Sequence, residues 1–225
     1  MAAGEGTRLR PLTERWHKAV LPIDGHPVLA TLLHELRSGG CARVWLVTGH
    51  LAAQVERLAG DGSAFGVEVR TTRQPGVLGS ADAVRRALDA GAELPALVLA
   101  ADTVFLPGDV ARFQRAFAVA AAAGAIAVRR DPPPGPGRRA VRVRDGLVES
   151  IDDGDAQFSG APLWGLDRPV SDRLCVDRAP YELGNAYRAA LAAGETIAAV
   201  EIGKTRDLTD PLDLVEENFP YLTGI

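Results

Sequence analysis

The 225-residue chain has little of what marks the specialised protein classes. Its only cysteines, Cys41 and Cys175, lie far apart and form no CxxC pair, so they read as two reduced thiols of a cytoplasmic protein. The longest charge-free stretch, Ala116 to Val128, runs thirteen residues and is mostly alanine, too short and too weakly apolar to cross a bilayer. The segment Met1 to Arg8 holds no apolar run that could serve as a signal peptide. Lysine is almost missing, with two residues against 23 arginines, and the net charge of −4 argues against non-specific binding of nucleic acid. His17, His26, His34 and His50 have no metal-ligand spacing with one another or with cysteine. A Gly-x-Ser-x-Gly elbow, a third glycine for a dinucleotide fingerprint and a GK[ST] for a P-loop are all absent. What is present is ordinary: 47% hydrophobic and 24% charged residues, which exclude disorder and collagen-like structure and allow a substantial core.

Short β-rich runs alternate with helical stretches. Arg43–Gly49, Val67–Thr72, Ala96–Ala101 and Ala125–Arg129 read as strands, separated by helices at Pro27–Ser38, Ala52–Leu58, Gly79–Ala90 and Asp109–Ala123. This order predicts an α/β fold, a mostly parallel twisted sheet with crossover helices. Beyond Arg130 the pattern changes. The run Asp131–Gly137 is a surface connection, and Asp145-Gly146 between Arg139–Arg144 and Leu147–Ile151 signals a two-residue hairpin. A strand at Ala161–Leu166, a helix at Glu182–Ala193, a strand at Thr196–Ile202 and a closing helix at Pro211–Asn218 follow. The second half thus adds a small antiparallel subregion. We expect one domain over 1–225, in two halves that meet at residues 130 and 131.

The segment Ala2-Ala3-Gly4-Glu5-Gly6-Thr7-Arg8-Leu9-Arg10 carries the most information. Neighbouring glycines let successive backbone N–H groups face one centre, which suits an anion such as a triphosphate, and Arg8 and Arg10 add fixed positive charge. Lys18, ten residues after Arg8, is a compact point charge for phosphate. Taken singly, the loop reads as a surface turn and Lys18 as a solvated residue. Asp102 follows the apolar run Ala96–Ala101, at the rim where open α/β sheets bind ligands, and Asp207 follows Thr196–Ile202 by a short loop. Two carboxylates are a sufficient protein share for Mg²⁺, which keeps water and phosphate as its other ligands.

The glycine loop with Pro11-Leu12-Thr13, Lys18 before an apolar-Leu-Pro run, Gly25-His26-Pro27, Gln74, Leu78-Gly79-Ser80-Ala81, Leu97–Asp102 and Arg206–Pro211 together resemble the sugar-1-phosphate nucleotidyltransferases. The likeness spans nearly the whole chain in order. It implies a fold of the nucleotide-diphospho-sugar transferase, Rossmann-like type. It also implies that a sugar-1-phosphate oxygen attacks the α-phosphorus of a nucleoside triphosphate and releases pyrophosphate. On this resemblance Ala3, Gly4, Gly6 and Thr7 cradle the triphosphate, Arg8 and Lys18 are catalytic, and Asp102 and Asp207 hold Mg²⁺. Gln74 and Gly79 meet the base, while Gly160, Glu182 and Lys204 meet the sugar phosphate, so the resemblance makes 1–130 the nucleotide-binding half and 131–225 the sugar-phosphate-binding half. Glu182, near a helix start, serves equally well as a dipole partner. Phosphocholine or another non-sugar phosphate as acceptor of CMP is the enzymatic alternative, and a silent nucleotide-sugar-binding regulatory paralogue is the non-enzymatic one. The partners are the two substrates, without nucleic acid or membrane, and the chain is a monomer or homo-oligomer.

The sequence departs from the family pattern at His17 (usually proline), at Ala101 (usually glycine) and at Thr209-Asp210. Only Met1, Ala2 and Ala3 precede Gly4, where the family has a buried strand. We therefore expect about five to seven residues to be missing there, the length of a mean strand. A strand that short leaves its neighbours with unpaired backbone groups.

Overall fold

The computed structural model describes residues 1–131, 139–152, 154–176 and 181–222. All but the first residue of the connection expected at Asp131–Gly137 lies outside them. The chain forms two compact units, the first from Met1–Val77, Ala100–Val104 and Arg206–Ile225, the second from Leu78–Leu99 and Phe105–Thr205. In chain order the first unit opens with β1 (Pro22–Ile23), β2 (His26–Pro27), α1 (Val28–Ser38), β3 (Arg43–Thr48), α2 (Ala52–Ala59) and β4 (Glu68–Arg73). The second unit takes α3 (Ser80–Asp89) and β5 (Ala96–Leu99), and the first takes back β6 (Thr103–Val104). The second continues with α4 (Asp109–Val119), β7 (Gly124–Arg129), β8 (Ala140–Arg144), β9 (Leu147–Asp152) and β10 (Phe158–Leu166). It ends with α5 (Arg168–Ser171), α6 (Leu183–Ala192) and β11 (Ile197–Glu201), and the first unit closes with β12 (Arg206–Asp207) and α7 (Pro211–Glu216).

In the first unit, α1 buries Val28, Leu29, Leu32, Leu33 and Leu36, a stripe at helical spacing, and Gly40 in the left-handed region turns the chain toward β3. β3 and β4 pair in parallel from Arg43 opposite Glu68 to Thr48 opposite Arg73. Residues 1–3 lie extended beside them. The Ala2 N–H donates to the Val47 carbonyl at 2.7 Å, the Ala101 N–H to the Met1 carbonyl at 2.9 Å and the His50 N–H to the Ala3 carbonyl at 3.3 Å. Leu9, Leu21, Ile23, Val28 and Leu208 form a buried apolar cluster with Val104 and Leu214 against it. That cluster joins segments remote in sequence; Leu9 adjoins Arg8 and Arg10, and Leu208 adjoins Asp207.

The second unit holds a six-stranded sheet in the order β5-β10-β7-β11-β9-β8. β7 and β11 pair in parallel, and β10 runs antiparallel to both β5 and β7, so β5, β7 and β11 share one direction. The crossover helices follow from that shared direction. The antiparallel share exceeds the small subregion expected, because nine-residue β10 inserts between β5 and β7 rather than at an edge. Close packing holds it there: a Cβ on Gly165 would meet the Phe117 ring at 2.6 Å, and the Tyr187 hydroxyl donates to the Gly165 carbonyl at 2.6 Å. The hairpin forms as expected between β8 and β9, with Asp145 and Gly146 both at positive φ, the geometry that two-residue connection requires. Among the described residues no helix is long and apolar enough to cross a membrane.

Candidate active site

Within the first unit the glycine loop is a tight turn. Gly6 adopts φ 62, its carbonyl accepts the Leu9 N–H at 2.9 Å, and a Cβ there would lie 3.0 Å from the Thr13 methyl. The Thr13 hydroxyl donates to that same carbonyl at 2.9 Å, and His50 Nε2 donates in turn to the Thr13 carbonyl at 2.8 Å. Gly4 has open space around it, and Thr7 and Arg8 are exposed on the following 3₁₀ turn. Buried Ala3 packs so closely on Gly49 that a Cβ at Gly49 would meet the Ala3 carbonyl at 2.8 Å.

Lys18 opens another 3₁₀ turn, Lys18–Val20, and its ammonium joins two carboxylates. It lies 2.7 Å from Asp102 Oδ2 and 3.6 Å from Asp207 Oδ2. The lysine side chain is 12% exposed and the carboxylates 33% and 39%, so the cation is sheltered while the anions reach solvent. Short antiparallel pairing brings the aspartates together, with Asp207 opposite Thr103 and Arg206 opposite Val104. Asp102 therefore does not close the apolar strand directly. β5 ends at Leu99, and the Ala101 N–H is spent on the Met1 carbonyl instead of a sheet neighbour. Arg206 bridges Asp24 and reaches Glu217 at 2.9 Å, which holds Asp24 and Asp207's own strand together and keeps the Asp24 carboxyl below its usual range.

Thr209-Asp210 serves as a helix start. The Asp210 carboxylate accepts the Leu212 N–H at 2.8 Å, Asp213 accepts the Asp210 N–H at 3.0 Å, and Pro211 fills the first helical position. The Thr209 hydroxyl also donates to Asp207 Oδ2 at 3.4 Å.

His17, noted in the sequence as a departure from the family pattern but given no role in the site, is buried at the entry to the lysine turn. Its Nδ1 accepts the Ala19 N–H at 3.1 Å, so the ring is neutral with its proton on Nε2. Burial pulls its pKa down to about 4, opposed in part by the negative charge of Asp102. Gln54, which holds the His17 backbone, belongs to no motif, and His17 marks a departure from one. Their positions are set by contacts 37 residues apart, which local pattern does not encode.

Gln74, in the first unit, is buried, and its backbone N–H donates to the Thr48 carbonyl at 2.8 Å. In the second unit Gly79 caps α3 at φ 99, and a Cβ there would meet the Tyr181 carbonyl at 2.6 Å. The glycine is thus required by the fold itself. Ser80 donates to Glu182 Oε2 at 3.0 Å and accepts the Leu183 N–H at 2.8 Å, which ties the starts of α3 and α6 together. Gly160 donates its N–H to the Arg139 carbonyl at 2.9 Å on β10, and exposed Lys204 lies 3.7 Å from Asp131. Among the described residues no three His, Cys, Asp or Glu side chains group as a metal cage.

Residues 1–136 match the family model described as nucleotidyl transferase. The N-acetylmuramate alpha-1-phosphate uridylyltransferase of Neisseria meningitidis serogroup B is 34% identical over 117 residues, 52% of this chain and 51% of that protein. The bifunctional protein GlmU of Paracidovorax citrulli is 33% identical over 239 residues, 96% of this chain and 48% of its own length. The chain spans about half the length of these two relatives. A crystal structure of a candidate glucose-1-phosphate thymidylyltransferase from Bacillus anthracis, in complex with a sucrose, shares the fold. Its TM-score is 0.85 at 19% identity, over 96% of this chain and 91% of that one. By the match over more than half its length, the chain belongs to the nucleotidyl transferase family, the sugar-1-phosphate nucleotidyltransferases that its motifs resemble.

Proposed function

We propose that the protein transfers a nucleoside monophosphate from a nucleoside triphosphate to a sugar-1-phosphate, giving a nucleotide sugar and pyrophosphate. The observation that carries this reading is the ammonium of Lys18 held 2.7 and 3.6 Å from two partly exposed carboxylates. An acceptor phosphate oxygen forms a bond to the α-phosphorus, the bond from that phosphorus to the bridging oxygen breaks, and its electron pair leaves with pyrophosphate. The attacking phosphate is already an anion at neutral pH, so alignment and charge stabilisation matter more than a general base.

Asp102 and Asp207 fit Mg²⁺: both donors are oxygens, they converge on one point, and two carboxylates against one ammonium leave the cluster negative. When bound there, the ion would supply positive charge to the phosphates and orient the reacting oxygens. The backbone of Ala3, Gly4 and Gly6 with the hydroxyl of Thr7 receives the triphosphate. Exposed Arg8 meets its outer phosphates, and Lys18 leaves its aspartate partners to steady charge at the α-phosphate. Gln74 and the Gly79 turn face the base, and Gly160, Glu182 and Lys204 receive the acceptor.

The test is pyrophosphate release with Mg²⁺ over a grid of five triphosphates and several sugar-1-phosphates. Activity in one cell is the expected result. Lys18→Ala should then lower kcat by about a hundredfold or more, the scale of one lost charge-stabilising donor. Silence across the grid with measurable nucleotide binding would favour a regulatory binding protein.

A further inference from the structure

The ammonium of Lys18 can stay between its two carboxylates only if the backbone before it stays in place, and the Arg15 and Trp16 N–H groups, which donate to the Leu12 carbonyl at 3.1 and 3.0 Å, tie those residues only to their own turn. Glu14, Arg15 and Trp16 are all exposed, Trp16 at 56%, so no buried side chain anchors the segment between Thr13 and His17. His17 has φ −63 and ψ 137. That φ is the value a proline ring would enforce, but here no ring enforces it.

Three hydrogen bonds do so instead. Gln54, on α2, accepts the His17 N–H through Oε1 at 2.8 Å and donates through Nε2 to the Arg15 carbonyl at 2.6 Å, so one amide brackets Trp16 from both sides. The His17 ring then accepts the Ala19 N–H at 3.1 Å, which closes the loop over Lys18 itself. The bonds end on main-chain atoms at either side of the lysine, while the Gln54 side chain reaches neither carboxylate.

We propose that Gln54 is a positioning residue for Lys18, acting through His17: the amide clamp and the imidazole cap fix the turn from which the ammonium reaches Asp102 and Asp207. This rests on the reading of Lys18 as the phosphate-facing cation. The placement of its ammonium, however, can be measured without any activity.

The chain has only two lysines, so Lys204, 65% exposed, is an internal standard. The full-length protein would be trace-acetylated with limiting acetic anhydride, without substrates, and the Lys18 to Lys204 labelling ratio read by peptide mapping. Gln54→Leu removes both clamp bonds at similar volume and should raise that ratio about five- to tenfold, the scale of one lost net hydrogen bond or a little more. kcat for pyrophosphate release should fall by a similar factor, with KM for the triphosphate changing much less. His17→Pro installs the ring that enforces the same φ without the N–H or the cap, so the double variant Gln54→Leu/His17→Pro should return toward the wild-type ratio. His17→Asn keeps an N–H and a capping acceptor and should stay near the wild-type ratio. A wild-type labelling ratio in Gln54→Leu, or a double variant no closer to it than Gln54→Leu alone, would overturn the proposal, even if melting temperatures drop, because Gln54 would then support the fold alone. An inactive wild-type protein would count against the proposed reaction but leave this labelling result decisive for the clamp.

Discussion

The Lys18–Asp102–Asp207 cluster of the first unit and the Gly79–Ser80–Glu182 junction of the second are built in opposite ways. The cluster sits on short irregular pieces: a 3₁₀ turn and two-residue strands. Those pieces converge because an apolar cluster beneath them, Leu9, Leu21, Ile23, Val28 and Leu208, joins remote parts of the chain. The junction lies instead at the starts of two regular helices, and its geometry is fixed by backbone contact so close that only glycine fits at 79. The cluster gathers opposite charges from several segments remote in sequence, whereas the junction needs only two helix ends in register.

The comparison is broken most severely at the charges. Asp102→Asn removes the nearer carboxylate partner of Lys18 and should lower kcat by about a hundredfold to a thousandfold with the fold intact by circular dichroism. Retention of wild-type turnover would show that the cluster is structural. In the junction the equivalent damage is to stability. Gly79→Ala forces a Cβ against the Tyr181 carbonyl at positive φ, and should cost about 3 kcal/mol, read as a large drop in Tm.

A pH titration sharpens the contrast within the first unit. His17 has a folded pKa of about 4 against an ordinary 6.5, so the unfolded chain binds a proton that the folded ring refuses. The contribution is fully present above pH 6.5 and is lost as pH falls toward 4, reaching about 3 kcal/mol at the foot of that window. Chemical denaturation as a function of pH should show this slope, and His17→Asn should flatten it. The smallest effect lies back in the junction. Ser80→Ala removes the hydroxyl that holds Glu182 and the Leu183 N–H, and should raise KM for the acceptor about fivefold with kcat little changed. An unchanged KM would detach Glu182 from acceptor binding.

Legibility in the sequence follows the same division. The helices other than the four-residue α5, which is not among those expected, the Asp145-Gly146 hairpin and the proline-started α7 are local matters of periodicity and turn chemistry, and their boundaries in the structure differ from expectation by a few residues at most. The expected helix at Asp109–Ala123 stops at Val119, where Ala121 enters the left-handed region ahead of β7. Asp102, Asp207 and Lys18 could be chosen by residue type and motif, but their shared contact could not be derived from spacing. It depends on Asp207 pairing opposite Thr103, more than a hundred residues away.

The sequence by itself determined the alternation of strands and helices, the glycine turn, and which residue types were available for phosphate chemistry, because each follows from interactions within a few residues. Tertiary structure alone decided that β10 lies between β5 and β7, that β5 stops short of Asp102, and that Gln54 and His17 hold the lysine turn. In each of these cases a backbone polar group had to find a partner far along the chain, and the packing of the whole unit, not the local sequence, chose which partner it found.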